Sequence, residues 1–234
     1  MADLPDPISR RDRQRQTREA LIFAARSVFA DVGYHAASLD QIARHAGFSK
    51  GAVYSNFENK AALFLAVMDA NFDLAYSEAW DPFSRVEDVV AEAAGGQLTA
   101  EELTAAMTGF ALATLEFVAA AARDQALAGE LAKRMDRLLD AYTDIARESR
   151  AADETMPEED MGVLLAALDQ GSGLLLLGGG RTVDQRLLRV GMRRLLDPAR
   201  AGEAVDDEEG WPGLHDQVVQ QRIAASLRED TDHT

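Results

Sequence analysis

Between Ser38 and Lys60 the chain reads SLDQIARHAGFSKGAVYSNFENK, and this stretch allows few folds. Glycine enters the left-handed backbone region without a Cβ penalty, so Gly47 is a natural helix stop. Ser38 supplies an N-cap oxygen, with Gln41 three residues on as in a capping box. Ser49 restarts a helix in the same way. Ile42, Ala43 and Ala46 give the first helix a face to bury, and Val53 and Phe57, four apart, pack the second against it. The expected unit is two short helices meeting at a corner. Lys50, Gly51, Ala52, Tyr54 and Ser55 are left facing outward. Small residues permit close approach, and a cation and a phenol can reach phosphates, so this surface suits DNA.

The segment closely resembles the DNA-binding domain of TetR-family transcriptional regulators. The resemblance lies in Ile42-Ala43, Ala46-Gly47, Ser49-Lys50-Gly51, Tyr54, Phe57 and Lys60. It extends back over a helix from about Arg13 to the turn at Gly33-Tyr34. It is specific over residues 10–65, and beyond them rests on size and helical character. Asn56 departs from the pattern, since many members carry histidine there; asparagine can still donate to a phosphate. The resemblance implies DNA contacts from Ser38, Ser49, Lys50, Gly51, Ala52, Tyr54, Ser55, Asn56 and Lys60.

The net charge of −16 looks wrong for a partner of DNA, but it is unevenly spread. Residues 1–60 hold nine Lys/Arg against seven Asp/Glu, and residues 61–234 hold fifteen against thirty-three. Arg10, Arg11, Arg13, Arg15 and Arg18 cluster where the first helix begins. Screening limits repulsion from the acidic remainder beyond about 8–10 Å, so a basic end can still bind phosphate.

The rest of the chain reads as helices. Leu21, Ala25, Val28, Phe29 and Val32 recur at three- and four-residue spacing over residues 12–32. A fourth helix starts after Asn59 and passes Leu63, Val67 and Phe72 towards Ala79. Pro82 and Gly95-Gly96 bracket a short helix near residues 86–94. Thr99 with Glu102 caps a helix bearing Met107, Phe110, Ala111, Thr114, Leu115 and Val118. Residues 125–150 carry Leu131, Met135, Leu138, Tyr142 and Ile145 on one side. The next helix carries Met161, Leu164, Leu165 and Leu168, and the last, begun by Thr182 and closed by Pro198, carries Leu187, Leu188, Met192, Leu195 and Leu196. No alternating strand pattern occurs. The expected fold is all-α: a three-helix helix-turn-helix domain over residues 1–58, a larger helical domain over 59–200, and an acidic extension over 201–234 with a short helix near 218–227.

Catalysis finds no support. Gly47-Phe48-Ser49-Lys50-Gly51 satisfies G-x-S-x-G, but a nucleophile elbow needs a strand before the serine, and here a helix precedes it. The four histidines lack i, i+4 metal spacing, and the glycines at 178–180 lack a following Lys-Ser/Thr. No metal or cofactor is expected. There is no cysteine, which fits a reducing compartment. The N-terminus lacks the apolar core of a signal peptide, and the apolar stretch 163–177 is interrupted by Asp169 and Gln170. A soluble, cytoplasmic protein is the expectation.

In TetR-like proteins the late helix pair forms a four-helix dimer interface. Helices near 160–177 and 183–196 are apolar here, with small Ala166, Ala167, Gly171 and Gly173 permitting close packing, and a charge at Leu188 would test that interface if the residue lies in it. Two recognition helices on a dyad read a palindrome with half-sites about 34–36 Å apart. The resemblance also implies a small-molecule effector, with Phe83, Met107, Phe110, Leu115, Phe117, Tyr142 and Met161 as candidate lining; apolar and aromatic walls suit a hydrophobic or aromatic ligand. The implied function is a ligand-responsive homodimeric regulator, a repressor, on operator DNA. A TetR-like interaction protein without operator binding is the alternative; the arginine cluster and Lys50 weigh against it.

Overall fold

The computed structural model describes residues 9–75, 100–178 and 185–199. Within them the chain is all-α. The helices are α1 (Arg10–Ala36), α2 (Leu39–His45), α3 (Lys50–Asn56), α4 (Lys60–Ala75), α5 (Ala100–Ala121), α6 (Gln125–Ser149), α7 (Glu158–Leu177) and α8 (Gln185–Leu196). None of the described helices is long and apolar enough to cross a membrane. The fold is that of an N-terminal helix-turn-helix domain followed by a larger helical domain.

Among the described residues, the first of two compact units holds 9–70 and 100–117. Its axis is α1. Periodicity implies a one-sided helix, yet residues 24–30 are buried without a break, so α1 is enclosed by its neighbours. Leu21, Val28 and Phe29 of α1, Ile42 of α2, Val53 of α3, Phe57 after it, and Leu63, Phe64 and Val67 of α4 are all buried, and the Phe29 ring meets that of Phe64. An aromatic group fills one end. The Phe64 ring lies edge-on to Phe29 and Tyr34 and stacks against Phe110 and Phe117, at centroid distances of 4.8, 5.2, 5.8 and 4.7 Å. Gly109 lets α5 cross α1 closely, because a methyl group there would overlap the Ala30 carbonyl. Helix α1 is broken at Gly33, whose φ of 80° is strained for any residue with a Cβ. One more turn follows before Ala37 becomes extended.

The second unit holds 71–75, 118–178 and 185–199 among the described residues. Asp124 opens α6 by accepting from the N–H groups of Ala126 and Leu127 at 2.9 and 3.2 Å. Its core joins Tyr142, Ile145 and Ala146 of α6, Met161, Leu165 and Ala166 of α7, and Leu188, Met192 and Leu196 of α8. A methyl at Gly162 would collide with Thr143, so glycine sets the close approach of α6 and α7. Arg147 bonds Glu158 at 2.9 Å, and the Ala151 N–H reaches the Leu196 carbonyl at 2.9 Å.

Several expectations need correction. The compact units group α4 as far as Ala70 with the first three helices, so they do not divide at residue 58. Among the described side chains of α5, Ala113, Phe117 and Ala121 are buried, while Leu115 and Val118 are exposed. On α7, Met161 and Leu165 face the core, but Leu164 and Leu168 are exposed. Leu188 and Ala166, on the helix pair expected to form a dimer interface, are buried in the core of the single chain. On α5 and α7 apolar residues spread over much of the circumference, so periodicity offers more than one face to bury and the neighbouring helix selects one. The helix near 86–94, the caps at Thr99 and Thr182, and the extension over 201–234 lie outside the described residues. Leu188→Ala should therefore lower stability by about 2–5 kcal/mol, as large-to-small core changes do. Leu187→Ala, at a 64% exposed neighbour, should cost under about 0.5 kcal/mol. Urea denaturation of the two variants checks this, and equal losses would mean that α8 is rotated from the position described.

Candidate nucleic-acid interface

The corner is built by two caps and a glycine. Ser38 Oγ accepts the Gln41 N–H and Ser49 Oγ accepts the Ala52 N–H, each at 3.2 Å. At the end of α2, Phe48 N–H donates to the Ala43 carbonyl at 2.9 Å and Gly47 N–H to the Arg44 carbonyl at 3.1 Å. This is the Schellman arrangement, and Gly47 has the left-handed φ of 68° that it requires. Val53 and Phe57 are buried, which fixes the face that α3 turns outward.

That face carries Lys50, Gly51, Tyr54 and Ser55, all exposed, with Ala52 half-buried between them. Tyr54 is 52% exposed, although an aromatic ring gains from burial. Ser55 Oγ donates to the Ala52 carbonyl at 2.9 Å. Lys50 Nζ donates to Asp40 Oδ2 at 2.7 Å and lies 5.8 Å from the centre of the Tyr54 ring. The Asp40 hydrogen bond, and then its charge, hold the Lys50 ammonium above the usual lysine range. Asp40 and Lys50 are ten residues apart on different helices, so no sequence period links them. Only the corner brings them together.

Other expected site residues are occupied within the fold. Ser38 and Ser49 cap helices. Asn56 Nδ2 donates to the Ala52 carbonyl at 2.8 Å, so the donor expected to meet phosphate is engaged inside α3. Lys60 is a correction: its ammonium donates to the Tyr34, His35 and Ala37 carbonyls at 2.7, 2.9 and 2.8 Å. Burial pushes its pKa down, partly opposed by the Glu116 carboxylate. It closes the end of α1, and nothing is left to donate to DNA. In the arginine cluster, Arg18 donates to the Asn56 carbonyl at 2.9 Å and sits 4.3 Å from the Phe57 ring, tying α1 to the end of α3. Arg15 lies 3.4 Å from Glu19, and Arg10 and Arg11 are exposed.

The candidate effector residues are divided between the two units. Phe110 and Phe117 join the aromatic group of the first unit, whereas Tyr142 and Met161 fill the core of the second. Leu115 is exposed. Phe83 and the Met107 side chain lie outside the described residues.

Residues 21–67, which span α2, α3 and the flanking parts of α1 and α4, match the family model described as bacterial regulatory proteins, tetR family. Over these residues the chain is similar to the TetR family. Its relatives include the HTH-type transcriptional activator FasR of Mycolicibacterium smegmatis, 38% identical over 87 residues, covering 31% of this chain and 40% of FasR. The HTH-type transcriptional repressor BepR of Brucella suis is 40% identical over 53 residues, covering 23% of this chain and 25% of BepR. The A-factor receptor protein of Streptomyces griseus is 40% identical over 62 residues, covering 26% and 22%. The chain thus spans well under two thirds of these relatives. A TetR-family crystal structure from Rhodococcus sp. shares the fold more widely, with a TM-score of 0.52 at 20% identity over 76% of this chain and 95% of that one.

A TetR-family surface of this kind leads to an electrostatic prediction at Asp40. Its carboxylate stands beside Lys50, on the face proposed to meet phosphates. Asp40→Asn should strengthen binding to random-sequence duplex roughly fivefold at low salt, matching the about 1 kcal/mol that unit charges ~4 Å apart exchange in water. Unfolding should barely change, since both partners are exposed. Fluorescence anisotropy reads the binding, and an unaltered affinity would place DNA elsewhere.

Proposed function

We propose that this protein is a homodimeric, ligand-responsive transcriptional regulator that occupies palindromic operator DNA. One observation carries the reading: a helix of the TetR-family corner presents Lys50, Gly51, Tyr54 and Ser55 outward while Val53 and Phe57 lock it from behind. Lys50 reaches a base edge or phosphate on leaving Asp40, Tyr54 bonds the backbone, and Gly51 and Ala52 allow close approach. Gly51 has open space around its Cα apart from ordinary contact with Ser49 Oγ. Ser38, Ser49 and Asn56 support this surface through their backbone bonds, and Lys60 supports it from the end of α1.

Dimerisation is inferred from α7. Val163, Leu164, Leu168, Leu174 and Leu175 are 43–59% exposed and lie on the side of the helix opposite Met161, Leu165 and Asp169. A contiguous apolar face of that kind marks a protein contact. A Cβ added at Gly171 or Gly173 would meet nothing within 4 Å, which leaves room for a facing helix. A second copy is the proposed occupant, pairing α7 and α8 about a dyad.

Repression is the proposed sense. The relatives include both an activator and a repressor by name, so a promoter–reporter assay decides the sign. Release by a small hydrophobic or aromatic effector is proposed from the family and from one relative's being named a receptor. No residue set is assigned to that effector, because Phe117, Tyr142 and Met161 are taken up in cores. Action within the cytoplasm follows from the proposed DNA partner.

If a dimer neutralises roughly 6–10 phosphates, operator affinity should fall ~10³–10⁵-fold between about 50 and 200 mM salt. Anisotropy titrations across that range test the reading. A flat dependence would favour the alternative, a helical interaction protein without operator binding.

Leu168→Glu should give monomers by placing a charge in the paired face, with the cooperative unfolding of each chain retained. Sedimentation velocity checks this, and an unchanged dimer would move the interface off α7.

A further inference from the structure

The turn between Gly33 and Ser38 is held from both ends by charged side chains of two other helices. At its start, Glu116 Oε2 of α5 accepts the His35 N–H at 2.8 Å. The same carboxylate sits against Gly33, where a Cβ would lie 2.7 Å from Glu116 Oε1. At its end, the Lys60 ammonium of α4 takes the Tyr34, His35 and Ala37 carbonyls. The Tyr34 ring is pinned between, 4.7 Å from Lys60 Nζ and 5.1 Å from the Phe117 ring. Glu116 and Phe117 are consecutive, so one short piece of α5 grips both the backbone and the side chain of this turn.

The turn leads directly into the DNA-facing corner. Ala37 is extended and Ser38 is the N-cap of α2, so the placement of residues 34–37 sets where the corner begins. A break at Gly33 exposes N–H groups that the helix no longer satisfies, and an unpaired N–H there would let the turn sample other conformations. A corner that must be re-ordered on binding loses affinity for DNA.

We propose that Glu116 is a positioning residue for DNA recognition, fixing the 34–37 turn that delivers the chain into α2. This rests on the DNA-binding reading above. Glu116 touches no DNA and acts through the His35 amide and Gly33.

The test compares Glu116→Ala, Glu116→Asp and Glu116→Gln in the full chain, using duplex that the wild-type protein recovers from a randomised pool. Glu116→Gln keeps an oxygen that accepts the His35 N–H, and it should bind within about twofold of wild type. Glu116→Ala should bind about tenfold more weakly, equivalent to about 1.4 kcal/mol. Glu116→Asp keeps the charge but shortens the reach, so it should resemble Ala and serves if the Ala variant fails to fold. Amide exchange at His35 should accelerate about tenfold in the Ala and Asp variants, while exchange at Ile145 and Ala146 stays unchanged. Unaltered binding by both, equal loss in the Gln variant, or unaltered His35 exchange would each overturn the proposal and leave the DNA reading standing. Recovery of no duplex by wild-type protein would overturn both.

Discussion

The last carbonyls of a helix have no partner within it, and at the end of α1 this shortage is met by a single ammonium. Lys60 spends its three donors on Tyr34, His35 and Ala37. Because Lys60 is also the first residue of α4, that helix is anchored where α1 stops. Asn59 adds the cap, its side-chain oxygen accepting the Ala62 N–H at 2.8 Å. Between these two ends lie only α2 and α3, so their connections are pinned before any packing among themselves is counted. Burial of the ammonium costs solvation, and three carbonyls together with the Tyr34 ring and the nearby Glu116 offset it.

The two units bury their apolar surface in different ways. In the first, aromatic rings meet edge-on and stacked around Phe64, an arrangement that resists sliding because each ring has a preferred angle to the next. In the second, Tyr142 is the aromatic member of a core otherwise made of Leu, Ile, Met and Ala, and small residues such as Ala146, Gly162 and Ala166 let backbones approach. Burial also pushes the Tyr34 phenol above the ordinary tyrosine range, as expected for a ring enclosed by Phe29, Phe64 and Phe117.

The electrostatics of the proposed DNA face are modest and local. A net charge of −16 disfavours loose, indiscriminate adhesion to phosphate. Several of its N-terminal cations are also committed within the protein, Arg18 to the end of α3 and Lys60 to the end of α1. Lys50 itself is paired with Asp40. In the proposed DNA-binding role, such a surface would rely on fit and on placed contacts more than on bulk charge.

Much of the first unit was legible in the sequence because its signals are local. A capping serine acts three residues ahead, a stopping glycine acts at its own φ, and Val53 and Phe57 are one turn apart. Gly47, Ser38, Ser49 and Asn59 therefore have the roles their residue types imply. Tertiary structure alone decided what depends on residues far apart in the chain. It placed Glu116 on His35 across 81 positions and Lys50 on Asp40 across the corner. It turned Lys60 inward. It chose which apolar side of α7 faces inward, burying Leu165 and leaving Leu168 outside. Helical periodicity says that a face will be buried; only the neighbouring helix says which one.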